Sequence, residues 1–196
     1  RLLRSLPRTL DAVQLALGRI DTRHTSRLGS DVFSENEFTV FSQFGEDGIL
    51  QHLIRKLPVT SRTFVEFGVS DYQESNTRFL LQNNNWSGVV IDGSADNVDF
   101  IKRQPYYWRH NLKVECAFIT RDNINSILDA SGVSRNLGIL SIDVDGNDYW
   151  IWEAVDRVDP AIVICEYNSL FGWRRKLTIP YDAAFRRGNA HYSGIY

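Results

Sequence analysis

From Thr63 onward the chain alternates between short apolar runs and polar stretches with helical spacing. Strands are predicted over Thr63 to Val69, Gly88 to Asp92, Val114 to Thr120, Leu137 to Val144 and Ala161 to Tyr167, each apolar on both faces and rich in Val, Ile and Phe. Helices are predicted between them, over Glu74 to Asn83, Asn97 to Arg103, Asp122 to Ala130 and Asp148 to Val155. Strands with no polar face need cover on both sides. The alternation therefore implies an α/β fold with a doubly wound, mainly parallel sheet.

Two further helices precede the sheet. In SQFGEDGILQHLIRKL, Ser42 can cap, Glu46 and Asp47 suit the first turn, and Ile49, Leu50, Leu53, Ile54 and Leu57 form the apolar face. Arg55 and Lys56 close it and Pro58 stops it, while His52 falls off the apolar face and is expected in solvent. Nearer the start, Leu3, Leu6, Leu10, Val13, Leu17 and Ile20 recur three and four residues apart, with Pro7 as a first-turn residue. Arginines at 1, 4, 8 and 19 flank this stripe. A basic amphipathic helix can lie on a membrane or act as a transit peptide. Docking on its own domain, or on a partner subunit in a homo-oligomer, is the plainer account. Asp21 to Thr39 reads as a polar linker, which divides the chain into an N-terminal extension, 1–40, and an α/β domain, 41–196.

Composition narrows the function classes. At 196 residues, with 43% hydrophobic and 23% charged, the chain can bury one sizeable core. A net charge of −2 gives no general attraction for nucleic acid, although PYYWRH, Pro105 to His110, mixes aromatic and basic residues. No stretch approaches the roughly 18 apolar residues of a membrane span. Cys116 and Cys165 both lie in apolar runs, which suits buried reduced thiols and a cytoplasmic protein. The chain has no methionine and begins at Arg1, which suggests a fragment or a trimmed chain.

In such a sheet, ligands bind at the carboxyl ends of the strands, where strand order reverses. The first strand ends in Glu66-Phe67-Gly68, and the glycine permits close backbone approach. The second ends in Asp92-Gly93, an acid placed to accept from ribose hydroxyls. The turn between lacks the later glycines of G-x-G-x-x-G and contains Tyr72, which disfavours a pyrophosphate. Adenosine without phosphates fits better, as in S-adenosylmethionine. Further on, SIDVDGNDYW delivers Asp143, then Asp145 and Asp148, and VICEYN delivers Glu166 from the next strand. Asp143 and Glu166 on neighbouring strands could share Mg²⁺. Alternatively, Asp145-Gly146 forms a turn and Asp148 caps the next helix.

Together FVEFGVSDYQESNTRFLLQNNNWSGVVIDGS, LSIDVDGNDYW and VICEYNSLFG resemble the FkbM-type and related Rossmann-like S-adenosylmethionine-dependent methyltransferases, particularly a bacterial group that also has the SQFGEDGIL helix. The resemblance runs from Phe41 to Tyr196. It implies that Glu66 and Gly68 line the methionine end and Asp92 the ribose, within a cofactor set of Glu66, Gly68, Ser70, Asp92, Gly93 and Asp143. It also implies a helix and two strands beyond HYSGIY, and hence a domain incomplete at its C-terminus. The acceptor it implies is an oxygen of a small molecule or sugar in polysaccharide or glycoconjugate biosynthesis. Asp143, Glu166 or His191 would take the hydroxyl proton. GWRRK, Gly172 to Lys176, reads most simply as a solvated loop; alternatively, since it follows the fifth strand, Trp173, Arg174 and Arg175 could contact an anionic sugar. Trp150 and Trp152 read as wall and core residues. The alternative is a catalytically silent Rossmann-like binding module serving an assembly.

Overall fold

The computed structural model describes residues 2–169, 172 and 174–185. Five parallel strands, β1 (Thr63–Phe67), β2 (Ser87–Asp92), β3 (Leu112–Cys116), β4 (Asn136–Ile142) and β5 (Asp159–Cys165), form one sheet in the order β3-β2-β1-β4-β5. The helices are α1 (Leu2–Leu28), α2 (Glu46–Lys56), α3 (Arg78–Asn84), α4 (Ala95–Lys102), α5 (Pro105–Arg109), α6 (Ile124–Ser131) and α7 (Asp148–Ala154). The strands alternate their side chains between two cores. Phe64 of β1 joins Leu50 of α2, Leu80 of α3 and Ile101 of α4 on one face. Val65 and Phe67 join Ile124 and Leu128 of α6 and Ile151 of α7 on the other. This is the doubly wound, Rossmann-like α/β fold that the alternation predicts.

Strand order reverses between β1 and β4, where Glu66 is paired in register with Ser141. Every strand except β2 stops short of its predicted end, because apolar residues continue past the ladder into buried loop positions such as Val69 and Ile119. PYYWRH contains the short helix α5, opened by Pro105, whose Tyr106 packs edge-on against Tyr72 at 5.7 Å. Both cysteines are free, but Cys116 is exposed, since β3 is an edge strand and Cys116 its last residue.

The N-terminal region departs most from expectation. Leu10, Val13, Leu17 and Ile20, the stripe expected to dock, are each at least 50% exposed. The opposite face docks instead. A Cβ on Gly18 would lie 2.4 Å from Val40 Cγ2 and 2.9 Å from Phe79 Cε2, so the glycine lets the helix backbone rest directly on these two side chains. Asp11 pairs with the buried Arg78 at 2.6 Å, and Arg78 in turn lies over the rings of Phe41 (3.9 Å) and Tyr106 (4.7 Å).

The first part of the predicted linker, to Leu28, is also helical. Its docked positions are Thr22 and Thr25, whose hydroxyls bond the Gly18 and Thr22 carbonyls, and so it carries no apolar period. Gly29, at φ 66°, donates its N–H to Thr25 O and ends the helix. The following 3₁₀ turn places Phe33 edge-on to His52 at 6.1 Å, which is why His52 is buried rather than solvated. No helix among the described residues is long and apolar enough to cross a membrane.

Candidate functional site

A cavity of about 1000 Å³ opens at the carboxyl edge of the sheet, across the point where strand order reverses. The loop after β1 forms its floor. Gly68 is obligatory there: a Cβ would fall 1.5 Å from the carbonyl oxygen of Asp143, so the loops leaving β1 and β4 meet backbone to backbone. Gly68, Ser70 and Tyr72 have φ of 70°, 49° and 61°, giving alternate left-handed residues although only the first is glycine. Tyr72 offsets its strain by complete burial and by a 2.9 Å bond between its hydroxyl and Thr77 Oγ1.

Glu66 organises this loop instead of lining the cavity. It lies on the same face of β1 as Phe64, and its buried carboxylate accepts from Ser75 Oγ (2.6 Å), Asn76 N (2.9 Å), Thr77 N (3.2 Å) and Thr77 Oγ1 (2.5 Å). Burial pushes its carboxyl up and these bonds pull it back, with a net rise. Glu66, expected at a methionine end, is thus committed to Ser75, Asn76 and Thr77 and is outside the cavity lining.

Asp92, the last residue of β2, does line the cavity. Its Oδ2 accepts from Ser70 N at 2.8 Å and its Oδ1 from Ser94 N (2.8 Å) and Asn97 Nδ2 (3.0 Å), which ties the β1 and β2 loops together. A carboxylate has about four acceptor positions, so one remains, on Oδ2. Gly93 lies against Phe118, and both line the cavity with Ser70.

On the other side, β4 and β5 are paired through Ile142 and Cys165, so Asp143 and Glu166 leave adjacent strands one residue later. Both line the cavity, as does Asp145. Asp143, Asp145 and Glu166 each offer an oxygen, and these atoms all lie within 4.8 Å of one another. Partial burial, followed by the charges of Glu166, Asp148 and Asp145, raises Asp143 to about 7. Asp148 is buried and accepts from Val144 N and Gly146 N at 2.9 Å each, so it holds the β4 loop. The turn reading of Asp145 is therefore realised, whereas Asp148 does not cap: it is the first residue of α7, whose N-cap is Asn147, and its carboxylate binds amides of the preceding loop. The turn, with Asp145 at φ 56°, also brings that side chain to Asp143 and Glu166.

The chain after β5 returns over α7: Trp150 Nε1 donates to Ile179 O and Asn147 Nδ2 to Asp182 O, both at 2.8 Å, and Phe185 reaches the cavity wall. Trp150 is thus held under the returning chain and is outside the cavity lining, and Trp152 is 47% exposed. Arg174 and Arg175 are exposed and outside the cavity lining, and His191 and Trp173 lie outside the described residues. Sequence reasoning did not bring Asp145 to Asp143 and Glu166, nor Phe118, Asn97 and Phe44 to the cavity. Phe44 sits in the SQFGEDG signature, where Asp47 Oδ2 accepts from Val40, Phe41 and Ser42 N–H groups and Ser42 Oγ accepts from Asp47 N. Those bonds fix the loop carrying Gln43 and Phe44 at the cavity rim. No sequence model of a known family matches the chain, and no curated protein matches it.

Proposed function

We propose that the chain binds S-adenosylmethionine in this cavity and transfers its methyl group to an oxygen of a neutral small molecule or sugar. The charge of the wall carries the reading. Asp71, Glu74, Asp92, Asp143, Asp145 and Glu166 line it, and among the described residues no lysine, arginine or histidine does. Phosphates would meet uncompensated like charge, whereas sulfonium and ammonium groups are attracted. Phe118 offers a ring beside Gly93 for an adenine, and Asp92 keeps one acceptor position for a ribose hydroxyl. The same wall suits a neutral sugar better than an anionic one. The sequence resemblance to FkbM-type enzymes of polysaccharide and glycoconjugate biosynthesis supports the choice of a sugar.

S-adenosylmethionine, when bound, supplies an electrophilic methyl group. The chain must hold the acceptor oxygen in line with it and remove the hydroxyl proton. Asp143 has the position for that base, at the carboxyl edge and open to the cavity, and a proton affinity near neutrality suits the task. Glu166 beside it keeps that affinity high.

The convergence of Asp143, Asp145 and Glu166 favours a second reading of the same site. Three carboxylate oxygens within 4.8 Å suit a hard cation such as Mg²⁺, which would acidify the acceptor hydroxyl directly and make Asp143 a ligand rather than the base.

Calorimetric titration tests both. S-adenosylhomocysteine should bind saturably and adenosine should compete; a folded protein that binds neither would overturn the proposal in favour of the silent binding module. Titration with Mg²⁺ alone decides the second reading: saturable heat that Asp145→Asn abolishes assigns the ion, and absence of heat leaves Asp143 as the base.

A further inference from the structure

The exposed stripe of α1 is the largest feature that the fold and the cavity leave unexplained. Leu10, Val13, Leu17 and Ile20 face solvent on a helix that is already held by its other face, through Gly18 and the Asp11–Arg78 pair. At 100° per residue, Arg19, Arg23 and Arg27 follow one another along one flank of the stripe, and all three are exposed. Charge is segregated to the same end of the chain. The first 28 residues carry six arginines and two aspartates, a net +4, so with −2 overall the remainder carries −6.

We propose that α1 is an interfacial helix that seats the protein on an anionic lipid surface, with the aliphatic stripe in the headgroup and acyl boundary and the arginines against the headgroups. Charge complementarity selects this occupant. A second copy packed antiparallel, stripe to stripe, would set the Arg19, Arg23 and Arg27 flank against the same flank, whereas an anionic bilayer attracts these arginines and repels the acidic remainder, which orients the molecule with α1 toward the lipid. A stripe of this kind on a helix too polar to span is the pattern of surface binding rather than insertion. Asp11 and Gln14 of α1 share a smaller cavity with Gln73 and Glu74, which also line the main one. Seating α1 on lipid would therefore hold the rim of the main cavity beside the bilayer, where a membrane-borne acceptor is presented.

Co-sedimentation of the full chain with vesicles tests this directly, using phosphatidylcholine alone and phosphatidylcholine with about one third phosphatidylglycerol. Binding is expected to the anionic vesicles only, and to fall as salt is raised. Arg23→Ser with Arg27→Ser should weaken it about thirty-fold, and Leu17→Glu with Ile20→Glu by an order of magnitude or more. All four side chains are exposed, so far-UV circular dichroism should be unchanged; if the glutamate pair misfolds, the serine pair alone decides. The proposal is overturned by no binding to anionic vesicles, by equal binding to both kinds, or by a dimer in sedimentation that Leu17→Glu dissociates.

Discussion

The loop after β1 shows how single residues set the shape of the cavity floor. Ser70 and Tyr72 both sit at positive φ, where an L side chain costs roughly 1–2 kcal/mol. They should nonetheless respond oppositely to glycine. Ser70→Gly removes that strain but adds backbone entropy to the unfolded chain, so the change in urea unfolding should stay within about 0.5 kcal/mol of zero. Tyr72→Gly removes a fully buried ring that packs on Tyr106, and should cost about 3–5 kcal/mol. Equal costs at the two positions would show that the ring is not what offsets the strain. Glu66 belongs to the same scale, because one carboxylate satisfies four donors of the Ser75 to Thr77 segment.

At the scale of elements, α1 is held by a small cluster of its own, in which Val40, Phe41 and Phe79 are buried and Leu15 and Phe38 pack against them. Gly18→Val would drive a branched side chain into Val40 and Phe79. Hydrogen exchange should then accelerate through α1 while β1 and β4 keep their protection, since they lie in the two separate cores of the sheet. Uniform loss of protection would mean that α1 is part of the main cooperative unit. This docking was illegible in the sequence for a physical reason: apart from Leu15, the contacting residues are Gly18, Thr22, Thr25 and Asp11, none of which adds to an apolar period. His52 was misread similarly, because its cover comes from Phe33, far away in the chain. The five strands were legible, since strands buried on both faces must be apolar throughout. Their ends were not, because Val69 and Ile119 stay buried after the ladder has stopped. Of the cavity wall, Gly68, Asp92, Asp143 and Glu166 could be placed because each lies within two residues of a strand end, whereas Phe118 was hidden in an apolar run and Asp145 in what reads as a turn.

For the whole molecule, the acidic cavity couples stability to pH in the sense opposite to ordinary acid denaturation. Unfolded, Asp143 titrates near its usual 3.8; folded, burial and the charges of Glu166, Asp148 and Asp145 raise it to about 7. Between those values the folded protein holds a proton that the unfolded chain releases. The resulting stabilisation is full below about pH 4 and is lost as pH rises through about 7. Asp47, Glu66 and Asp148 are also raised, burial being the first cause in each, and act in the same direction. Solvent in the cavity screens the contribution of Asp143, so its size should be modest. The ligand-free protein should therefore have a higher urea midpoint at pH 5 than at pH 8. Asp143→Asn, which cannot ionise, should raise the midpoint at pH 8 and narrow the difference. A higher midpoint at pH 8, unaltered in Asp143→Asn, would remove this residue from the account. The same ionisation that weakens the fold makes Asp143 a base, so in the metal-free reading methyl transfer should increase through the pH range in which the empty protein loses stability. A cationic ligand bound among the carboxylates should reverse the loss, and S-adenosylmethionine should accordingly stabilise the protein more at pH 8 than at pH 5.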